Sequence, residues 1–291
     1  MFKSAGANPS DRPSQVLKAA GVQPSKSRGQ NFLVQPRVAT QIVSAAQVEA
    51  GDTVVEVGPG LGILTVQIIR AEPRSLTLVE LDGRLAAMLA ARFGTDSRIR
   101  VLNRDFLKLS RAQLDSQRFK VIGNLPFNAA AAILRRLCDY SDSIVRMVLM
   151  FQREVGERIR AEPGSPNYSS LSVFTALYWQ VIDHFRVAAG SFHPRPKVDA
   201  EVLIMEPRRE RDFNPVEEAK IHSTIRAAFS APRKTIRNSL AGGLGANPIE
   251  IEAALAAAKI DPAIRPAMLN LSQLIALARI LQPATLSARH A

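Results

Sequence analysis

Val54-Val55-Glu56-Val57-Gly58-Pro59-Gly60-Leu61-Gly62 passes directly from a β-branched run into an apolar stretch, Leu61 to Arg70, with helical spacing. Glycines at such a strand-to-helix turn permit a tight reversal and let the backbone approach a ligand closely. A nucleotide-like ligand belongs there, and a dinucleotide is the ordinary reading of the turn alone. Working outward, strands are predicted at Val54–Val57, Leu76–Glu80, Ile99–Asn103, Lys120–Gly123 and Val145–Phe151. Helices are predicted between them at Leu61–Arg70, Arg84–Phe93 and Ala129–Leu137, each after a turn signal. This alternation predicts a doubly wound α/β domain around a parallel sheet.

Past Pro207 the texture becomes helical only. Ile221, Ile225, Ala228 and Phe229 share one helical face, and Leu271, Leu274, Ile275 and Ala278 repeat the spacing. Pro215, Pro232, Pro248, Pro262 and Pro266 divide this region into short helices. The expected organisation is a basic flexible tail over residues 1–28, the α/β domain over 29–207 and a small all-helical domain over 208–291.

A chain of 291 residues, 46% of them hydrophobic, can bury one substantial core and support a smaller second domain. Its net charge of +12 favours a polyanionic partner. Five basic residues face one acidic residue in 1–28, 21 face 18 in 29–207, and 12 face seven in 208–291, so the excess sits at the two ends. Cys138 is the one cysteine, which excludes an intramolecular disulfide. The four histidines lack metal-ligand spacing, so no metal is expected. No apolar run approaches a membrane span or a signal peptide, and a soluble, cytoplasmic, monomeric protein is expected. The Lys- and Ser-bearing tail shares some composition with organellar transit peptides, although its Pro and Gly content opposes a continuous amphipathic helix.

Acidic residues punctuate the strand ends. Glu80 closes the second strand in Leu-Val-Glu-Leu-Asp, where a carboxylate accepts hydrogen bonds from both ribose hydroxyls, and Asp105 follows the third, where it accepts from an adenine amine. Singly, each is an ordinary helix N-terminal carboxylate. The succession of Glu-x-Gly-x-Gly-x-Gly, acidic strand end and Asp-Phe-Leu resembles the Rossmann-like methyltransferases that bind S-adenosylmethionine.

Asn124-Leu125-Pro126-Phe127 follows the fourth strand, at the carboxyl edge where open α/β sheets bind substrates. The motif resembles the Asn-Leu-Pro-Tyr/Phe of amine methyltransferases. An adenine amine is a poor nucleophile while its lone pair is delocalised into the ring. The Asn124 side-chain oxygen and the Leu125 carbonyl can accept both amine hydrogens, rigid Pro126 aims that carbonyl, and Phe127 stacks on an extruded base.

Four further segments are Gly29-Gln30-Asn31-Phe32-Leu33, Phe151-Gln152-Arg153-Glu154-Val155, Phe192-His193-Pro194-Arg195-Pro196-Lys197-Val198-Asp199, and Arg233-Lys234-Thr235-Ile236-Arg237-Asn238-Ser239-Leu240. With them the chain resembles, over roughly Ser27 to Leu240, the small-subunit ribosomal RNA adenine dimethyltransferases. The resemblance implies a Rossmann-like S-adenosylmethionine-dependent methyltransferase domain with a small C-terminal all-helical domain. It implies dimethylation of the 6-amino group of two adjacent adenosines near the 3′ end of small-subunit rRNA, with the immature small subunit as partner. The cofactor-binding positions fall on Asn31, Leu33, Gly58, Gly60, Glu80, Asp105 and Asn124, and Phe192 joins the target-base pocket. Arg233, Lys234 and Arg237 are the candidate RNA contacts.

The sequence departs from the family pattern at Phe127, where Tyr is more frequent, and in the plain run Asn128-Ala129-Ala130-Ala131-Ala132-Ile133. Two other readings remain. A large-subunit rRNA adenine dimethylase conferring macrolide resistance shares the motif, and a ribosome-assembly or transcription factor could keep the fold without catalysis. The Arg233–Leu240 segment resembles the small-subunit enzymes more, and the intact Glu80, Asp105 and Asn124 oppose loss of activity.

Overall fold

A computed structural model describes residues 15, 17, 18, 21–24, 29–114, 118–208, 211 and 213–281. Its contacts divide the chain into two compact units, Met1–Gly156 with Trp179–Pro207, and Glu157–Tyr178 with Arg208–Ala291.

In chain order the first unit contains β1 (Phe32–Leu33), α1 (Pro36–Ala45), β2 (Thr53–Val57), α2 (Ile63–Arg70), β3 (Ser75–Glu80), α3 (Gly83–Phe93), β4 (Ile99–Asn103), β5 (Phe119–Asn124), α4 (Ala130–Cys138), β6 (Ile144–Gln152), β7 (Trp179–Val187), β8 (Phe192–His193) and β9 (Ala200–Pro207). The main sheet runs β4-β3-β2-β5-β6-β9-β7. Its pairings from β4 to β6 are parallel, whereas β9 pairs antiparallel with both β6 and β7. The five predicted strands and three predicted helices form within a residue or two of their expected limits. The β7–β9 extension is an addition that the sequence reading did not contain.

Parallel strands need cover on both faces and therefore read as apolar runs; every residue of β2 is buried. On one face Val54, Leu76, Leu78, Ile122, Val148 and Met150 belong to a cluster with Ala39, Ile42 and Val43 of α1 and Ile68 of α2. A second aromatic group sets Tyr140 against Phe106 and Phe119, with ring centroids 6.2 and 6.5 Å apart. The Tyr140 hydroxyl donates to the Leu109 carbonyl at 2.6 Å, which satisfies its one polar atom. Because β2 to β5 are parallel and in register, Val57, Glu80, Asn103 and Asn124 all end at one edge.

The second unit contains α5 (Ser170–Tyr178), α6 (Pro215–Ala228), α7 (Ile236–Leu244), α8 (Pro248–Ala257) and α9 (Leu271–Ile280). Asn214 with Glu217 and Asn270 with Gln273 form reciprocal capping boxes, and Pro215 and Pro248 stand where a missing N–H costs nothing. Ile221, Ile225 and Ala228 are fully buried, as their spacing predicts.

The two units meet between Pro207 and Arg208, and α5, which lies within the expected 29–207 span, groups with the later helices. The Tyr178 hydroxyl bonds the Glu218 carboxylate and lies 2.6 Å from His222 Nε2, and Phe174 meets the His222 ring edge-on at 5.1 Å. The apolar pattern of α5 is the same whichever partner buries it, so texture alone misplaces it.

Most of the predicted basic tail lies outside the described residues. Within it, Leu17 and Val22 are each only 3% exposed and cluster with Phe32 and Leu85. Isolated apolar residues in a basic, Pro- and Ser-bearing stretch carry no periodic signal.

Candidate active site

The carboxyl edge of β2, β3 and β5 opens on a cleft of about 200 Å³. Asn31, Leu33, Gly58, Gly60, Glu80, Asp105 and Asn124 all line it, as do Leu125 and Pro126. The parallel register brings the strand-end residues from Gly58 to Asn124 to one place, and the β1 segment adds Asn31 and Leu33.

The glycine turn after β2 holds φ of +68° at Gly58, +55° at Gly60 and +79° at Gly62, the left-handed region that side chains disfavour. At Gly60 a Cβ would also stand 2.9 Å from Cδ1 of Phe32, so the ring of β1 closes directly over the turn. Glu80 fastens the turn from the other side: its Oε2 accepts from the Gly60 N–H at 3.1 Å and its Oε1 from the Asp82 N–H at 2.9 Å. Asn103 Nδ2 donates to the Glu80 carbonyl at 2.9 Å, tying the end of β4 to the end of β3. Burial raises the Glu80 pKa above its usual value, and the Asp82 and Gly60 N–H groups oppose that rise.

Glu56, one residue before the turn, is buried completely. Its Oε2 accepts from the Thr65 hydroxyl at 2.7 Å, while Oε1 has no hydrogen-bond partner among the described residues. Desolvation pushes its pKa up to about 8, with the Thr65 hydrogen bond opposing and the Glu80 charge adding to the rise. Glu56 therefore stands neutral near pH 7, which spares the turn a second buried charge.

Asp105 accepts from the Leu107 N–H at 3.0 Å and caps a short 3₁₀ turn. Leu81 and Leu107, 62% and 38% exposed, line the cleft beside Glu80 and Asp105. The sequence reading missed both; a leucine one position after Glu80 and two positions after Asp105 was the available signal. They supply apolar walls on which a planar ring can lie.

At the end of β5, Asn124 Nδ2 donates to the Asn31 carbonyl at 3.0 Å. Engaging the amide's donor end in this way fixes the side chain and turns Oδ1, an acceptor, to the other side. The Asn31 segment is itself seated closely: Gly29, at φ +61°, has no room for a Cβ, which would lie 3.0 Å from the Asn128 nitrogen and 3.1 Å from that of Phe127. Phe127 and Phe192 meet edge to face with centroids 6.4 Å apart. Phe192 is held there because β8 pairs antiparallel with β1, Leu33 opposite Phe192 and Phe32 opposite His193.

Arg233, Lys234 and Arg237 belong to the second unit. Arg233 and Lys234 are exposed on the turn before α7, whereas Arg237 Nε lies 2.9 Å from Glu252 of α8. Among the described residues no group of His, Cys, Asp and Glu is arranged to hold a metal ion, and no helix is long and apolar enough to cross a membrane.

Solved structures share this architecture and place it in the class of Rossmann-like methyltransferases. The 23S rRNA methyltransferase ErmE matches with a TM-score of 0.65 and 25% identity, covering 86% of this chain and 99% of its own. The fold also matches a dimethyladenosine transferase from Plasmodium falciparum, with a TM-score of 0.68 at 22% identity over 84% of this chain and 94% of that one. Sequence comparison narrows the class. The family described as Ribosomal RNA adenine dimethylase matches residues 22–272. A protein named Ribosomal RNA small subunit methyltransferase A from Geobacter metallireducens is 37% identical over 268 residues, covering 90% of this chain and 97% of the relative. Its namesake from Syntrophotalea carbinolica is 39% identical over 263 residues, covering 90% and 98%. The chain belongs to the ribosomal RNA adenine dimethylase family.

Proposed function

We propose that this protein uses S-adenosylmethionine to dimethylate the 6-amino groups of two adjacent adenosines near the 3′ end of small-subunit rRNA, acting as a cytoplasmic monomer on the immature small subunit. The observation that carries the reading is the Asn124 amide, held by the Asn31 carbonyl with its acceptor oxygen available, at a strand end beside the Phe127–Phe192 pair. The 37–39% identity to small-subunit enzymes, against 25% to ErmE, supports the small subunit as the target.

The cleft fits the cofactor. A Cβ at Gly60 would fill the space next to the turn, Glu80 presents its carboxylate for ribose hydroxyls, and Leu81 and Leu107 flank the place where Asp105 meets the adenine amine. When bound, the cofactor supplies an electrophilic methyl group. The protein's part is to make the amine nucleophilic. Asn124 Oδ1 and the Leu125 carbonyl accept its two hydrogens and draw the lone pair out of the ring, while Phe127 and Phe192 hold the base. The methylated ammonium is acidic enough to lose its proton to water, so no side-chain base is required. Arg233 and Lys234 contact phosphate; Arg237 divides its charge between RNA and Glu252.

Incubation with tritiated S-adenosylmethionine and immature ribosomal subunits tests the reading. Label is expected in 6-dimethyladenosine of the small-subunit RNA; label confined to the large subunit overturns it.

A further inference from the structure

Beside the catalytic cleft lies a second cavity, of about 310 Å³, that none of the proposed chemistry uses. Its walls come from two distant parts of the first unit, residues 17, 18 and 21–24 on one side and His193 on the other. Leu17, Val22 and Pro24 give it apolar surface, Lys18 an exposed cation, Gln23 an amide and His193 an aromatic ring; among the described residues no carboxylate lines it. The volume is at the lower end of the range for small-molecule sites, about 300–1,000 Å³.

These walls are built in. Leu17 and Val22 are buried against Phe32 and Leu85, with Leu61 and Met88 packed alongside. The Val22 N–H donates to the Leu17 carbonyl at 2.8 Å and the Gly21 N–H to the Lys18 carbonyl at 3.1 Å, closing the segment into a turn. Arg84 Nη1 of α3 anchors that turn through the Gly21 carbonyl at 2.6 Å. His193 stands opposite Phe32 in the β1–β8 ladder.

The cavity is continuous in sequence with the base pocket. Successive residues of a strand face opposite ways, so Phe192 turns to Phe127 while its neighbour His193 turns into the second cavity. Phe192 and His193 are consecutive residues of β8, so the two pockets flank the same two-residue strand. A ring for stacking, an amide for a base edge and a cation for a phosphate are the groups that bind single-stranded RNA.

We propose that this cavity is a subsite for the nucleotide adjoining the target adenosine, stacked on His193 with its phosphate near Lys18. The inference rests on the reading of the main cleft as an RNA adenosine site. It makes residues 17, 18 and 21–24 part of the substrate surface, although the family match begins only at residue 22.

The test uses the full-length protein and small subunits reconstituted with RNA carrying a synthetic 3′ segment, in which the nucleotide immediately 5′ or immediately 3′ of the target pair is abasic, so that both methyl acceptors remain. For the parent, removing one neighbouring base is expected to raise KM about tenfold, the scale of one lost stack. In His193→Ala that penalty falls below about twofold, and His193→Phe restores it. Lys18→Ala lowers the salt slope of RNA binding by about one. Affinity for S-adenosylhomocysteine stays at the parent value in all three variants, which reports an intact fold. If parent and His193→Ala respond equally to both abasic substrates, the subsite is overturned while the function of the main cleft stands. If the parent transfers no methyl group to unmodified substrate, the reading of the main cleft falls, and this one with it.

Discussion

Glu80 and Asp105 offer charge-assisted acceptors from neighbouring strand ends of one cleft, so each is expected to hold cofactor independently. Glu80→Ala and Asp105→Ala should each weaken S-adenosylhomocysteine binding by about 1.5–3 kcal/mol in calorimetric titration. Unchanged affinity in both folded variants would remove the cofactor from this pocket. The Asn-Leu-Pro-Phe residues should fail differently. Asn124→Ala removes the oriented acceptor and should slow single-turnover methyl transfer on the order of 100-fold. Phe127→Leu keeps bulk but loses the stacking face, about 1–3 kcal/mol, whereas Phe127→Tyr keeps that face and should remain active. Parent-rate transfer by Asn124→Ala would contradict the role given to the motif. Glu56 affects stability instead. Its folded pKa of about 8 exceeds the ordinary 4.5, so between those values the folded chain holds a proton that the unfolded chain has released. Stability therefore falls as pH rises through this window, by up to about 1.4 kcal/mol per unit, and levels off above it. Glu56→Gln can still accept from Thr65 and should lose less urea-unfolding stability than the parent between pH 5 and 8; an identical loss would mean that Glu56 is ionised throughout.

Among the elements, those that carry the site were the most legible. A glycine turn has to follow β2 and a carboxylate has to end β3, and both requirements are written in consecutive residues. The β7–β9 extension was not legible: the continuous apolar part of β9 is only Val202 to Met205, set between Glu201 and Glu206, and β7 is an edge strand whose exposure follows no strict alternation. The two-residue strands β1 and β8 are too short for any periodicity, yet their pairing delivers Phe32 to the turn and Phe192 to Phe127. Gly60→Ala tests that closure, since the new methyl group needs a disfavoured φ and meets the Phe32 ring. Cofactor affinity should drop at least tenfold with the sheet intact by circular dichroism; parent-level affinity would show that the ring yields freely.

For the whole molecule, charge was legible as an amount and only partly as a location. The +12 excess pointed to nucleic acid, but sequence could not tell that Arg237 lies against Glu252 while Arg233 and Lys234 stay exposed. Replacing Arg233 and Lys234 together should lower the slope of log affinity for small subunits against log salt by about two, measured by filter binding from 50 to 200 mM salt. An unaltered slope would make the turn before α7 a solvated corner.

The pairing of residues 32 and 193 also sets a timetable. As the chain emerges from the ribosome, the parallel strands through β6 can assemble while Phe32 still lacks the partner strand that holds it over the glycine turn. Ends so far apart in sequence meet late, because a long loop must close first. A newborn chain consequently gains its methylating pocket only when the first unit is nearly complete, and a product truncated before Phe192 would have the sheet's parallel strands without a finished site.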